Sequence, residues 1–260
     1  MSRPAAAGAL RFPRLRHLLL AAWIGCAAAA GADGGAVVAS TEWTAAFARA
    51  AGIVEVTVLA PAASRHPAEY QLRPSDLRAV AAADALIFAG YEAMAARLRE
   101  LALKDATVLR IDTDYSLATL RRSLAALQAA GGTTEAAVAN LRMIAEEYAA
   151  WRAELAARDL AGAPALVHRF QEPLARELGF DVVAVFGPLP PQAAALASLA
   201  EAEVALIIDN HHNAVAAPLA EMHAPARAVA FLNFPGAAGT ATLLDVVRHN
   251  RRLLTAALDG

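Results

Sequence analysis

One cysteine and one lysine are all that this chain contains of either residue. With Cys26 alone, no disulfide can form within the chain, and neither a thiolate metal site nor Cys-x-x-Cys redox chemistry is available. Aromatic residues make up only 6% of the sequence and none interleave with a basic run, so nucleic-acid binding is a poor reading. No GxSxG elbow, HExxH pair, Walker loop or GxGxxG turn occurs. Ser40, Thr41 and Ser64 are hydroxyls without an activating partner in the sequence. The chain therefore reads as a non-enzyme. Beyond its N-terminus it has no apolar run approaching the roughly 20 residues of a membrane span.

What is present begins with a leader. Arg3, Arg11, Arg14 and Arg16 precede an uncharged apolar stretch at 18–30, and small residues close it at 29–32. A basic start, an apolar core of roughly 7–15 residues and a small-residue exit mark a secretory signal, here over residues 1–32. Ile24-Gly25-Cys26 also suits the end of a lipoprotein signal, whereas cleavage near Ala32 would leave a mature chain without cysteine. Both exits stay open. The expected location is periplasmic, with the membrane reached only through a lipid on Cys26. Setting aside the four leader arginines leaves 19 basic against 25 acidic residues, a net charge near −6.

Valine- and isoleucine-rich runs at 36–40, 54–59, 85–88 and 108–111 alternate with helical patterns at 44–51, 74–82 and 92–104. The second half repeats the rhythm, with strands at 165–168, 182–186, 204–208 and 228–232 and helices at 172–178, 191–201, 215–222 and 240–258. Such alternation predicts parallel βαβ units. Between the halves, 133–157 carries Val138, Leu141, Ile144, Ala145, Tyr148, Trp151 and Leu155 at helical spacing, bounded by Gly131-Gly132 and by Gly162 and Pro164. A helix of about 25 residues is roughly 37 Å long. The expected fold is α/β, two lobes with parallel sheets joined by one long connecting helix. Lobe boundaries fall at 33–130 and 161–260, with the connector at 131–160. A ligand cleft is expected between the lobes, at the carboxyl ends of the strands.

Donor side chains collect at those ends. His66 follows the second strand, and Asp112 and Asp114 follow the fourth. His168 ends the fifth, His211 and His212 follow the seventh through Asp209-Asn210, and Asn233 follows the eighth. Neutral imidazole with carboxylate suits zinc, manganese or iron. Each also has a structural explanation. A strand-end histidine can bond a backbone carbonyl, and adjacent His211 and His212 diverge, so at most one faces a given site. Asp112 and Asp114 can cap a helix starting near Ser116. His223 and His249 read as surface residues.

At these residues the chain resembles the substrate-binding proteins of zinc and manganese ABC importers. The resemblance rests on Val37-Val38-Ala39-Ser40, on Val56 to Leu59 after Ala51-Gly52, and on Tyr70 with Pro74-Ser75-Asp76. It continues through 83–92, His168-Arg169-Phe170 with Gly179 beyond, and Arg248-His249-Asn250. It implies a monomer that carries Zn²⁺ or Mn²⁺ to an ABC permease, its lobes hinging modestly about the stiff helix. It also implies a ligand set drawn from His66, Asp114, His168, His211 or His212, and Asn233. The pattern departs from the family's at four places. Ala68 stands at the first ligand position, Asp114 where a histidine belongs and Asn233 where an acid belongs, and the histidine-rich loop is missing. A relative without transport function, an accessory or metallochaperone-like protein or one binding a metal complex, is the alternative.

Overall fold

The computed structural model describes residues 35–61, 63, 64 and 66–260. The leader and Cys26 lie outside the described residues. Among the described residues, eight strands and nine α-helices follow one another in βα alternation: β1 Val37–Thr41, α1 Glu42–Ala50, β2 Val56–Ala60, α2 Pro74–Ala81, β3 Ala85–Phe88, α3 Ala95–Leu101, β4 Thr107–Arg110 and α4 Leu117–Ala126 in the first half. Then come α5 Thr134–Ala157, β5 Pro164–His168, α6 Glu172–Glu177, β6 Asp181–Phe186, α7 Ala193–Leu199, β7 Leu206–Asn210, α8 Ala217–Met222, β8 Arg227–Phe231 and α9 Leu243–Asp259.

The strands form two all-parallel sheets, ordered β2-β1-β3-β4 and β6-β5-β7-β8. The same order in both halves follows from the same rhythm in the sequence. The central strands β1, β3 and β7 are buried along their whole length, and β5 from Ala165 onward. Those are the strands with unbroken apolar runs, as burial on both faces requires. The outer strands β4 and β6 largely alternate partly buried and exposed residues. Val54, expected to begin the second strand, is 82% exposed. The pairing starts only at Val37↔Val56, so 54 and 55 have no neighbour to hydrogen-bond.

Helix α5 spans about 36 Å at 1.5 Å per residue and is started by Thr133, whose side chain accepts a hydrogen bond from the Ala136 N–H at 3.2 Å. Its buried face is Ala137, Ile144, Tyr148, Trp151 and Leu155. Val138, expected on that face, is one residue out of phase and stands exposed. Tyr148 donates to the Tyr115 carbonyl at 2.7 Å, and Trp151 packs against Phe231 of β8. One helix thus touches the first lobe at Tyr115 and the second sheet at Phe231, and a single apolar core runs through both lobes, joining Ala85 and Ile87 to Val167 and Ile208. Across the lobes, the Glu177 carboxylate of α6 accepts the Leu117 N–H at the start of α4, at 2.9 Å. No helix among the described residues is long and apolar enough to cross a membrane.

Candidate functional site

Both sheets turn their carboxyl ends to one cleft of about 550 Å³. Every strand contributes the residues that follow it. Trp43 comes after β1, His66 after β2, Tyr91 after β3, Asp114 after β4, Arg169 after β5, Pro188 after β6, His212 after β7 and Asn233 after β8. This is where open parallel sheets bind ligands.

Aromatic rings form the walls. Trp43 lies 6.0 Å from Phe234, ring centre to ring centre, and so joins the first lobe to the second. Phe234 stacks on His212 at 3.8 Å with 19° between the planes. The stack explains the chemistry of His212: desolvation, then the neighbouring His211, push its pKa down to about 4. It is a neutral imidazole at any ordinary pH, and its Nδ1 is buried without a partner. His211 is exposed and does not line the cleft. Buried Asp209 fixes the turn that carries the pair, accepting the Val215 and Ala216 N–H groups at 3.0 and 2.9 Å.

His168 is not a cleft residue. It ends β5 fully buried, flanked by the rings of Phe170 and Phe186. Its Nδ1 accepts the Phe170 N–H at 3.1 Å, and its Nε2 has no hydrogen-bond partner. That edge of the ring abuts Gly187, where even an added methyl would collide with it. With Nδ1 accepting, a neutral ring carries its proton on Nε2, so neither nitrogen offers a lone pair to an ion. Burial lowers its pKa, and Asp209 opposes the shift. The sequence reading that His168 anchors an ion from the second lobe therefore does not fit this arrangement. The strand end delivers the ring into the packing beneath the cleft.

Three of the carboxylates at the cleft are engaged. Asp114 Oδ1 accepts from the Ser116 N–H at 2.8 Å and its hydroxyl at 2.7 Å, and Oδ2 accepts from the Thr119 hydroxyl at 2.9 Å. The cap of α4 is Ser116, whose side chain accepts the Thr119 N–H, and Asp114 holds that cap residue in place without being the cap itself. Asp112 pairs with Arg122 at 3.0 Å, and Glu42 pairs with Arg49. His66 and Glu69 stand exposed at the mouth. Among the described residues, no three His, Cys, Asp or Glu side chains come together as they would around a metal ion.

A buried amide cluster forms the floor of the second lobe. Gln171 Nε2 donates to the Phe231 carbonyl and to Asn210 Oδ1, each at 3.2 Å, and to Asn233 Oδ1. Asn250 of α9 holds the loop after β8 from both sides. It accepts the Leu232 N–H at 2.8 Å and donates to the Leu232 carbonyl at 3.0 Å. Asn233 is thereby fixed with its oxygen turned inward. Sequence reasoning assigned no role to Trp43, Phe234, Asn210 or Gln171. The only available signal was their position at a strand end or two to three residues beyond one.

Fold and cleft together define the class: a two-lobed α/β protein built around a long connecting helix, with one cleft at the carboxyl ends of both sheets. Solved structures with this fold include a periplasmic metal-binding protein. The manganese-bound protein of candidatus liberibacter asiaticus superposes with a TM-score of 0.61 at 17% identity, over 85% of this chain and 98% of that one. Its cadmium-bound form gives the same values. The laminin-binding protein Lbp of Streptococcus pyogenes gives 0.64 at 16%, over 86% and 99%. Residues 37–135, the first lobe and the opening of α5, match the family model of the periplasmic zinc-uptake complex component A. No match was found among curated protein sequences. The resemblance read from the sequence, and the two-lobed fold it implied, are borne out.

Proposed function

We propose that this protein is the extracytoplasmic capture component of an ABC importer, holding a zinc- or manganese-bearing cargo between its lobes and releasing it to a membrane permease. The observation that carries the reading is the cleft itself: every strand of both parallel sheets ends there, on a scaffold shared with metal-binding proteins. His66 from the first lobe and His212 from the second are the imidazoles that line it. His212 needs no deprotonation at neutral pH, which favours metal contact. Asp114 could join only by releasing the first turn of α4, and Asn233 only by releasing Gln171. The role is binding rather than turnover, carried out by a monomer.

Metal content tests this. Mature protein isolated from its producing cells without chelators is expected to hold about one zinc or manganese per chain by mass spectrometry of the elements. A His66→Ala, His212→Ala double variant is expected to hold clearly less. Wild-type protein that carries neither metal would overturn the reading.

A further inference from the structure

We propose that the cargo is an anionic metal chelate, an ion already wrapped by a small carboxylate-bearing organic molecule with a flat apolar body, and not the bare ion. This rests on the capture reading above and names its substrate class.

A bare divalent cation needs several lone pairs converging on it, and no three His, Cys, Asp or Glu side chains converge among the described residues. Beside the unpartnered acceptors Asn213 Oδ1 and Gln171 Oε1, the second lobe holds unpartnered N–H groups at the cleft. The Phe231 carbonyl identifies the Gln171 atom beside it as nitrogen, because two acceptors would repel. Asn210 and Asn233 must then meet that nitrogen with their oxygens, which leaves their amide nitrogens as the free ends. Asn210 is 1% exposed and its Nδ2 has no partner. Across the cleft, Trp43 is 8% exposed and its Nε1–H is likewise unpartnered. The exposed Arg169 guanidinium stands at the same cleft and makes no ion pair among the described residues. Burying an N–H without an acceptor is unfavourable, and carboxylate oxygens are the acceptors that relieve both it and the unpaired charge.

In the first lobe Glu42, Asp112 and Asp114 are already engaged, which leaves Glu69, exposed at the mouth, as that lobe's free carboxylate at the cleft. The walls agree with an organic body. Trp43, Phe170, Phe234 and His212 offer flat faces around about 550 Å³, a volume within the roughly 300–1,000 Å³ of small-molecule sites. His66 and His212 remain able to take an open coordination position on the ion the chelate carries.

The test is titration calorimetry on metal-stripped mature protein. Its probes are Zn²⁺ and Mn²⁺ alone, dipicolinate alone, and the dianionic bis-dipicolinate complex of each ion. The complexes are expected to bind at least about tenfold more tightly than the bare ions or the free acid. Arg169→Gln, at an exposed position, is expected to weaken the complexes about tenfold or more without changing Tm. Asn233→Asp keeps an oxygen on Gln171 and turns a second one to the cleft, so it should weaken the complexes and strengthen the bare ions. Bare ions binding as tightly as the complexes would overturn the chelate inference and leave metal capture standing. Free dipicolinate binding as tightly would remove the metal from the cargo. Silence toward both complexes sinks the inference whatever the ions do, and protein that also comes metal-free from its cells loses the capture reading as well.

Discussion

His212 shows how a residue's chemistry is set by what covers it. Stacked on Phe234, it keeps its pKa at about 4 in the folded protein against an ordinary 6.5. Between those values the unfolded chain binds more protons than the folded one, so stability rises with pH through that window. The contribution is complete above about pH 6.5 and lost as pH falls toward 4. His168, also lowered by burial, acts in the same direction. Urea midpoints measured at pH 7 and pH 5 should therefore fall on acidification. His212→Phe keeps the stack and removes the titration, so it should flatten the fall but not abolish it. An unchanged slope in that variant would mean that His212 is protonated in the fold. Asn233 makes a related point. Substitution of an acid by an amide removes a charge, but its hydrogen bond to Gln171 decides which end of the amide meets the ligand.

At the scale of elements, α5 carries most of the architecture. Its buried face alternates spacings of three and four from Ile144 to Leu155, and Arg251 of α9 ties its exposed side through Glu147 and Glu154 at 2.7 and 2.8 Å. Trp151, 1% exposed and packed on Phe231, is the side chain at which helix and second sheet meet. Trp151→Ala is expected to cost about 3–5 kcal/mol of stability by denaturant titration, from lost burial and the cavity left behind. Val138→Ala, on the solvent side of the same helix, should stay within about 0.5 kcal/mol of wild type. Similar losses for both would show that the helix face is assigned wrongly. The strands were read to within one or two residues where their apolar runs are unbroken. Boundaries slipped where pairing rather than hydrophobicity sets the end, as at Val54.

For the whole molecule, the two sheets do not own separate cores. The apolar cluster passes from Ile87 through Tyr148 and Trp151 to Val167 without a break, and Trp43 meets Phe234 across the base of the cleft. Lobes coupled in this way should unfold together, giving one calorimetric transition whose van't Hoff and calorimetric enthalpies agree. Two resolved transitions would mean that the lobes are independent. The same continuity should restrict any rotation of one lobe against the other to a small angle, because a packed core deforms little.

The sequence by itself determined the α/β class, the repeated strand-helix rhythm, the connecting helix and the strand ends where the cleft would lie. Those are consequences of hydrophobic periodicity and helix start signals, and both are local. It could also offer capping as one role for Asp114, since the Asp-x-Ser spacing is local too. Which donors reach the cleft was a tertiary decision. His168 and His212 look equivalent in sequence, each at the end of a buried strand. Gly187, just past the neighbouring strand β6, closes one off, and Phe234 in the loop after β8 stacks on the other at the cleft. The inward turn of Asn233 depends on Gln171, 62 positions away in the chain. Contacts at that separation leave no periodic trace, because they are made only after the sheets have formed and brought the loops together.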